Sequence, residues 1–164
     1  MTTHRASCTC GQLGVTCEGD PVRVSICHCL ACQRRTGSAF GVQARFAREQ
    51  VTFSGTATEF VRTGDSGGRA TFRFCPTCGS TVFWQLDGLP GFVAVAVGAF
   101  ADPGFMAPKV SIYEVRRHAW AISPDLDIER LVAEPVRSWV QAPPVPIHVG
   151  EVIGVLIPHA AGAH

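Results

Sequence analysis

Residues 40–46 read Phe-Gly-Val-Gln-Ala-Arg-Phe, placing Phe40, Val42, Ala44 and Phe46 on one side of a period of two and Gly41, Gln43 and Arg45 on the other. Successive side chains of an extended chain point to opposite faces, so this alternation predicts a strand with one face toward a core. The rhythm recurs on both sides of it. Leu13, Val15 and Cys17 form a similar set, and further strands are expected over 22–26, 51–54, 59–62, 70–74, 81–86 and 92–98. Turn-formers separate them at Gly55, 64–68 and 88–91. Helix is scarce: residues 28–35 could wind a turn or two, and 124–134 could form a second short helix with Ser123 as its cap and Pro124 in first position. The fold class expected is mostly β.

Composition narrows the function. Of 164 residues 46% are hydrophobic and 16% charged, which suits one folded domain and excludes wholesale disorder. Fourteen basic residues stand against thirteen acidic ones, and no stretch gathers the basic run that a phosphate-tracking surface needs, so a nucleic-acid partner is not expected. The longest uncharged apolar run, 88–101, is shorter than the roughly 20 residues of a spanning helix, and no membrane role is expected. Residues 1–7 lead into no apolar export segment, which makes the cytoplasm the expected location. After Pro135 the composition shifts to a Pro-rich and then apolar segment. The domain expected is therefore 1–135, with 136–164 an appended tail that is either loosely attached or the interface of a homo-oligomer.

In a reducing compartment eight cysteines point to metal thiolates or reactive thiols rather than disulfides. Seven fall in three groups: Cys8-Thr-Cys10, Cys27-His-Cys29-Leu-Ala-Cys32 and Cys75-Pro-Thr-Cys78-Gly79. Zinc takes four ligands in a tetrahedron, and short Cys-x-Cys or Cys-x-x-Cys links offer two from one turn. In the third group Pro76 restricts the turn, while Gly79 permits a positive φ that can aim amide N–H groups at sulfur. Joining Cys8, Cys10, Cys75 and Cys78 closes a four-sulfur structural site. That leaves Cys27, Cys29 and Cys32 as three ligands with one position open, the pattern of a catalytic zinc, and two zinc ions per chain are expected. Cys17 shares a face with Leu13 and Val15 and reads as core; as a fourth ligand to the triple it would instead close the second site. His28, between two ligands, reads as turned away from the metal. Arg34 and Arg35 follow the triple directly, where a guanidinium can fork onto a carboxylate of an acidic thiol substrate or serve as plain surface charge.

The runs Ser7-Cys-Thr-Cys-Gly11, Cys27-His-Cys-Leu-Ala-Cys-Gln-Arg-Arg-Thr-Gly-Ser-Ala-Phe-Gly41, Phe74-Cys-Pro-Thr-Cys-Gly79 and Gly98-Ala-Phe-Ala-Asp-Pro103 together resemble the glutathione-dependent formaldehyde-activating enzyme family. The resemblance implies an antiparallel β-tent of small sheets around a four-cysteine zinc site, with Cys8, Cys10, Cys75 and Cys78 in that role and Cys27, Cys29 and Cys32 at a second zinc. It also implies a carbon–sulfur lyase, S-hydroxymethylglutathione synthase-like, that joins a small thiol such as glutathione to a small aldehyde such as formaldehyde. No Lys/Arg cluster in the sequence identifies a pocket for both glutathione carboxylates. Three other readings compete: a non-catalytic zinc-binding β-tent module of chaperone or exchange-factor type, a zinc-ribbon nucleic-acid protein, and a redox-active Cys-x-x-Cys.

Overall fold

The computed structural model describes residues 2–64, 67–121 and 128–131. Their strands are β1 (Thr3–Ser7), β2 (Gly14–Glu18), β3 (Arg23–Cys27), β4 (Gly41–Ala47), β5 (Val51–Ser54), β6 (Thr58–Thr63), β7 (Arg69–Phe74), β8 (Thr81–Leu86), β9 (Phe92–Ala96), β10 (Val110–Ile112) and β11 (Glu129–Leu131), with the helix α1 (Leu30–Thr36) between β3 and β4. The expected mostly β, mainly antiparallel fold is what forms. Its sheets are less uniform in size than expected. One has three strands in the order β1-β2-β5, and the other has eight in the order β11-β10-β3-β4-β9-β8-β7-β6. Only hairpin-like neighbours run antiparallel; β10, which returns after a long connection, lies parallel to β3 and to β11.

Directly paired residues share a face of a sheet. Following the pairs across the large sheet, Val24, Ala44, Val95 and Phe83 lie on one face with Phe46 and Val93. These pack with Leu13, Val15 and Cys17 of the small-sheet side into the main apolar core. The opposite face carries Cys27, Gln43, Arg45, Ala94, Trp84, Phe72, Ala70, Leu86 and Arg62. In β4 the expectation of one buried face is corrected, since Gln43 and Arg45 are buried as well as Ala44 and Phe46. A strand in the middle of a sheet has two covered faces, and here the second one floors a polar cavity. A β4 pattern that looks half-exposed in sequence is therefore the pattern of a core on one side and a binding surface on the other.

The predicted helix over 28–35 forms slightly later, with Cys29 as its N-cap and Gly37 ending it in the left-handed region at φ 62°. The predicted helix over 124–134 is corrected where the structure describes it: Glu129–Leu131 is strand β11, drawn into pairing with β10. Residues 122–127 and the predicted tail 136–164 lie outside the described residues. Among the described residues no helix is long and apolar enough to cross a membrane.

Candidate metal centres and the cavity beside one of them

The turn after β1 carries Cys8 and Cys10, and the turn joining β7 to β8 carries Cys75 and Cys78. The four sulfurs lie within 4.8 Å of one another. Cys10 Sγ stands 3.5 Å from Cys8 Sγ and 3.6 Å from Cys75 Sγ. Four sulfurs around zinc at about 2.3 Å are about 3.8 Å apart, so the set fits that ion without rearrangement of the chain. Backbone amides are aimed at the sulfurs: Leu13 N–H donates to Cys8 Sγ at 3.2 Å and Thr77 N–H to Cys75 Sγ at 3.4 Å. Gly79 has φ +72° and closes the turn by donating to Cys75 O at 2.9 Å, as the sequence predicts. Thr9 Oγ1 and Ser80 Oγ, 2.9 Å apart, brace the two turns against each other. Hydrogen bonds from Ser80 hold the Cys78 thiol down to about 5. The Gln12 amide draws Cys10 down, but protons shared with Cys8 and Cys75 outweigh it and push Cys10 up to about 12. Such a cluster binds protons for want of a cation, and a divalent ion displaces them.

Gln12 has a part that the sequence did not signal. Its side-chain N–H group donates to Cys75 Sγ at 3.2 Å and to Thr56 O at 2.8 Å, and its amide oxygen accepts from Thr56 N–H at 2.6 Å. It ties the start of β2, the β5–β6 turn and a cluster sulfur together.

Cys27 ends β3, Cys29 caps α1 and Cys32 lies in its first turn, and these three sulfurs are also within 4.8 Å of one another. Cys32 N–H donates to Cys29 Sγ at 3.3 Å. Hydrogen bonds from the Cys27 and Cys32 thiols hold Cys29 down to about 2, with the Arg62 charge contributing, while the bond to Cys29 pushes Cys27 strongly up. One thiolate thus already sits among two thiols. Cys17 lies elsewhere, fully buried in the apolar core, where desolvation pushes its thiol up to about 12. His28 is also fully buried. Its ring meets Phe40 edge-on with centroids 5.8 Å apart, and its Nε2 lies 3.7 Å from a Glu114 carboxylate oxygen.

All three sulfurs open onto a cavity of about 460 Å³ over the second face of the large sheet. Its charged lining, among the described residues, consists of Arg34, Arg45, Arg62, Arg69 and Arg116, and its aromatic lining includes Phe72, Trp84 and Tyr113. The sequence reading that no basic cluster exists is therefore corrected. The five arginines come from α1, β4, β6, β7 and the turn after β10, and only pairing across the sheet assembles them. The two tentative substrate residues part company. Arg34 lines the cavity, whereas Arg35 does not; its guanidinium lies over the Trp84 and Phe72 rings, 4.5 and 5.4 Å from their centroids. Arg35 passes close to Gly41, where a Cβ would meet its Nη2 at 3.1 Å and Cys32 Cβ at 3.5 Å.

The family model described as glutathione-dependent formaldehyde-activating enzyme matches residues 3–116, a span that holds both sulfur clusters and all five cavity arginines. The chain belongs to this family. Among solved structures, a Rhodobacter sphaeroides protein is similar at a TM-score of 0.49 and 20% identity, over 77% of this chain and 98% of that one. Comparison with curated protein sequences finds no match. Family membership accounts for the two cysteine sets. The cavity's arginines, by contrast, belong to the description of this chain's own surface.

Proposed function

We propose that this member of the glutathione-dependent formaldehyde-activating family is a carbon–sulfur lyase joining a small, acidic, glutathione-like thiol to a small aldehyde. The observation that carries the reading is the placement of the three-sulfur set in the wall of an arginine-lined cavity, while the four-sulfur set sits in a pair of braced turns. In this reading Cys8, Cys10, Cys75 and Cys78 hold a structural zinc, and Cys27, Cys29 and Cys32 hold the one at the reaction centre. Zinc there keeps a coordinated thiol deprotonated near neutral pH, where a free thiol with pKa about 8.5 is only a few per cent thiolate. The chain's own residues do the rest. Arg34 and its neighbours fork onto the thiol's carboxylates, and the Phe72 and Trp84 rings give its apolar part a dry wall. Held in that pose, sulfur meets aldehyde without a fresh bimolecular encounter. The sulfur lone pair forms the C–S bond, the carbonyl π pair moves to oxygen, and that oxygen takes up a proton; reversal splits the same bond. Nothing is oxidised or reduced. A reducing, cytoplasmic setting suits eight unpaired cysteines.

Exchange NMR with ¹³C-formaldehyde and glutathione tests the proposal, because adduct formation is also spontaneous and the acceleration is what the protein must supply. Zinc-loaded protein is expected to speed exchange, and Cys32→Ser to abolish the acceleration while melting as the parent does. Absence of acceleration by fully loaded protein, across glutathione and other acidic thiols, would return the non-catalytic module as the better reading.

A further inference from the structure

Glutathione carries two carboxylates and one ammonium group, and the cavity treats these unequally. Among the described residues no carboxylate lines it, and its five charged side chains are all guanidinium groups. Arg62 sits against Gly64, with its nitrogens 3.9 and 4.0 Å from where a Cβ would be, and its Nε is buried without a hydrogen-bond partner. Arg69 at the rim shares Asp87 at 3.8 Å, an exposed pair that solvent screens. The cavity is also walled by Trp84, Phe72, Leu86 and Leu89, which lowers the local dielectric and lengthens the reach of each charge. An anion gains from every one of these cations. An ammonium group brought in beside them is repelled and leaves its water without a replacement acceptor.

Resting on the reading that this cavity takes the thiol, we propose that its preferred substrate is a low-molecular-weight thiol with at least two carboxylates and no ammonium group. Glutathione would then be a tolerated relative of the preferred class. Arg62 becomes a specificity-determining residue: placed on β6 beside the three sulfurs, it meets the anionic group closest to the thiol.

Calorimetric titration of the cobalt(II)-loaded protein with glutathione and with N-acetylglutathione, which differ in the ammonium group alone, decides the matter, with mercaptosuccinate as a smaller dianionic thiol. The S-methyl forms of both tripeptides are titrated as well, and the cobalt visible spectrum is recorded throughout. Acetylation is expected to tighten binding by about tenfold in both the thiol and S-methyl series. Arg62→Gln is expected to remove most of that preference. Equal or tighter binding of unmodified glutathione would overturn the proposal, even if every free thiol shifts the cobalt bands and so supports the lyase reading. Conversely, a preserved preference with no spectral response to any thiol would uphold the anion selectivity and remove the thiol-binding centre. A preference unchanged in Arg62→Gln would overturn the residue's assigned part.

Discussion

Gly55 shows how a single backbone position supports a metal centre. It sits at φ +83°, and a Cβ there would lie 1.8 Å from the Gln12 carbonyl oxygen. The neighbouring Thr56 holds the Gln12 amide, and Gln12 donates to Cys75 Sγ. Gly55→Ala must therefore displace the backbone that orients a ligand, and we expect a loss of about 3 kcal/mol in the melting of zinc-loaded protein, the scale of strain plus a broken buried network. The cysteines divide in the same way. Cys78→Ser opens a centre that joins two turns 65 or more residues apart, and zinc in small domains contributes on the order of 10 kcal/mol to folding, so its far-UV spectrum should lose native strand structure. Cys32→Ser touches a cavity wall and should melt within a few degrees of the parent. Comparable unfolding of both variants would contradict separate parts for the two sets. Gly79 was legible in the sequence because a knuckle needs its left-handed turn. Gln12 was not, because a lone glutamine carries no spacing signal.

At the scale of elements, the turn after β10 holds α1 in place. Glu114 accepts hydrogen bonds from Ser111 Oγ and, at 2.8 Å, from Arg117 Nε, and it lies near Arg130 and the buried His28. Burial opposes its ionisation, yet hydrogen bonds from Ser111 and Arg117 and the surrounding positive charge hold the carboxyl below its ordinary 4.5. A carboxyl lowered in the folded state stabilises fully above its unfolded pKa, and that contribution fades as pH falls below it through the folded value. Chemical denaturation of parent and Glu114→Gln should differ by about 1 kcal/mol at neutral pH, converging as the solution is acidified below about 4.5. A gap that widened in acid would reverse the sign and refute the assignment. Strand positions were largely readable: 51–54 and 81–86 are the observed β5 and β8, because alternation there coincides with turn-formers at both ends. The parallel edge was not. Three-residue strands such as β10 and β11 are too short to show a period, and β11 exists through pairing with a distant partner rather than local preference.

Across the whole molecule, the large sheet separates two jobs. One face is sealed by the small sheet and its apolar core; the other floors the cavity, and the two sulfur clusters sit at different places around it. The clusters were legible because ligand spacing is local. The arginine lining was not, since Arg34, Arg45, Arg62, Arg69 and Arg116 are spread along the chain and converge only when β4, β9, β8, β7 and β6 align in register. Metal content after zinc reloading and removal of loosely held ion tests the central claim most directly, read on the parent and on Cys32→Ser in parallel. The account predicts about two zinc per parent chain and about one per folded variant chain, as two separate thiolate centres require. One zinc in both proteins, or two in both, would contradict it.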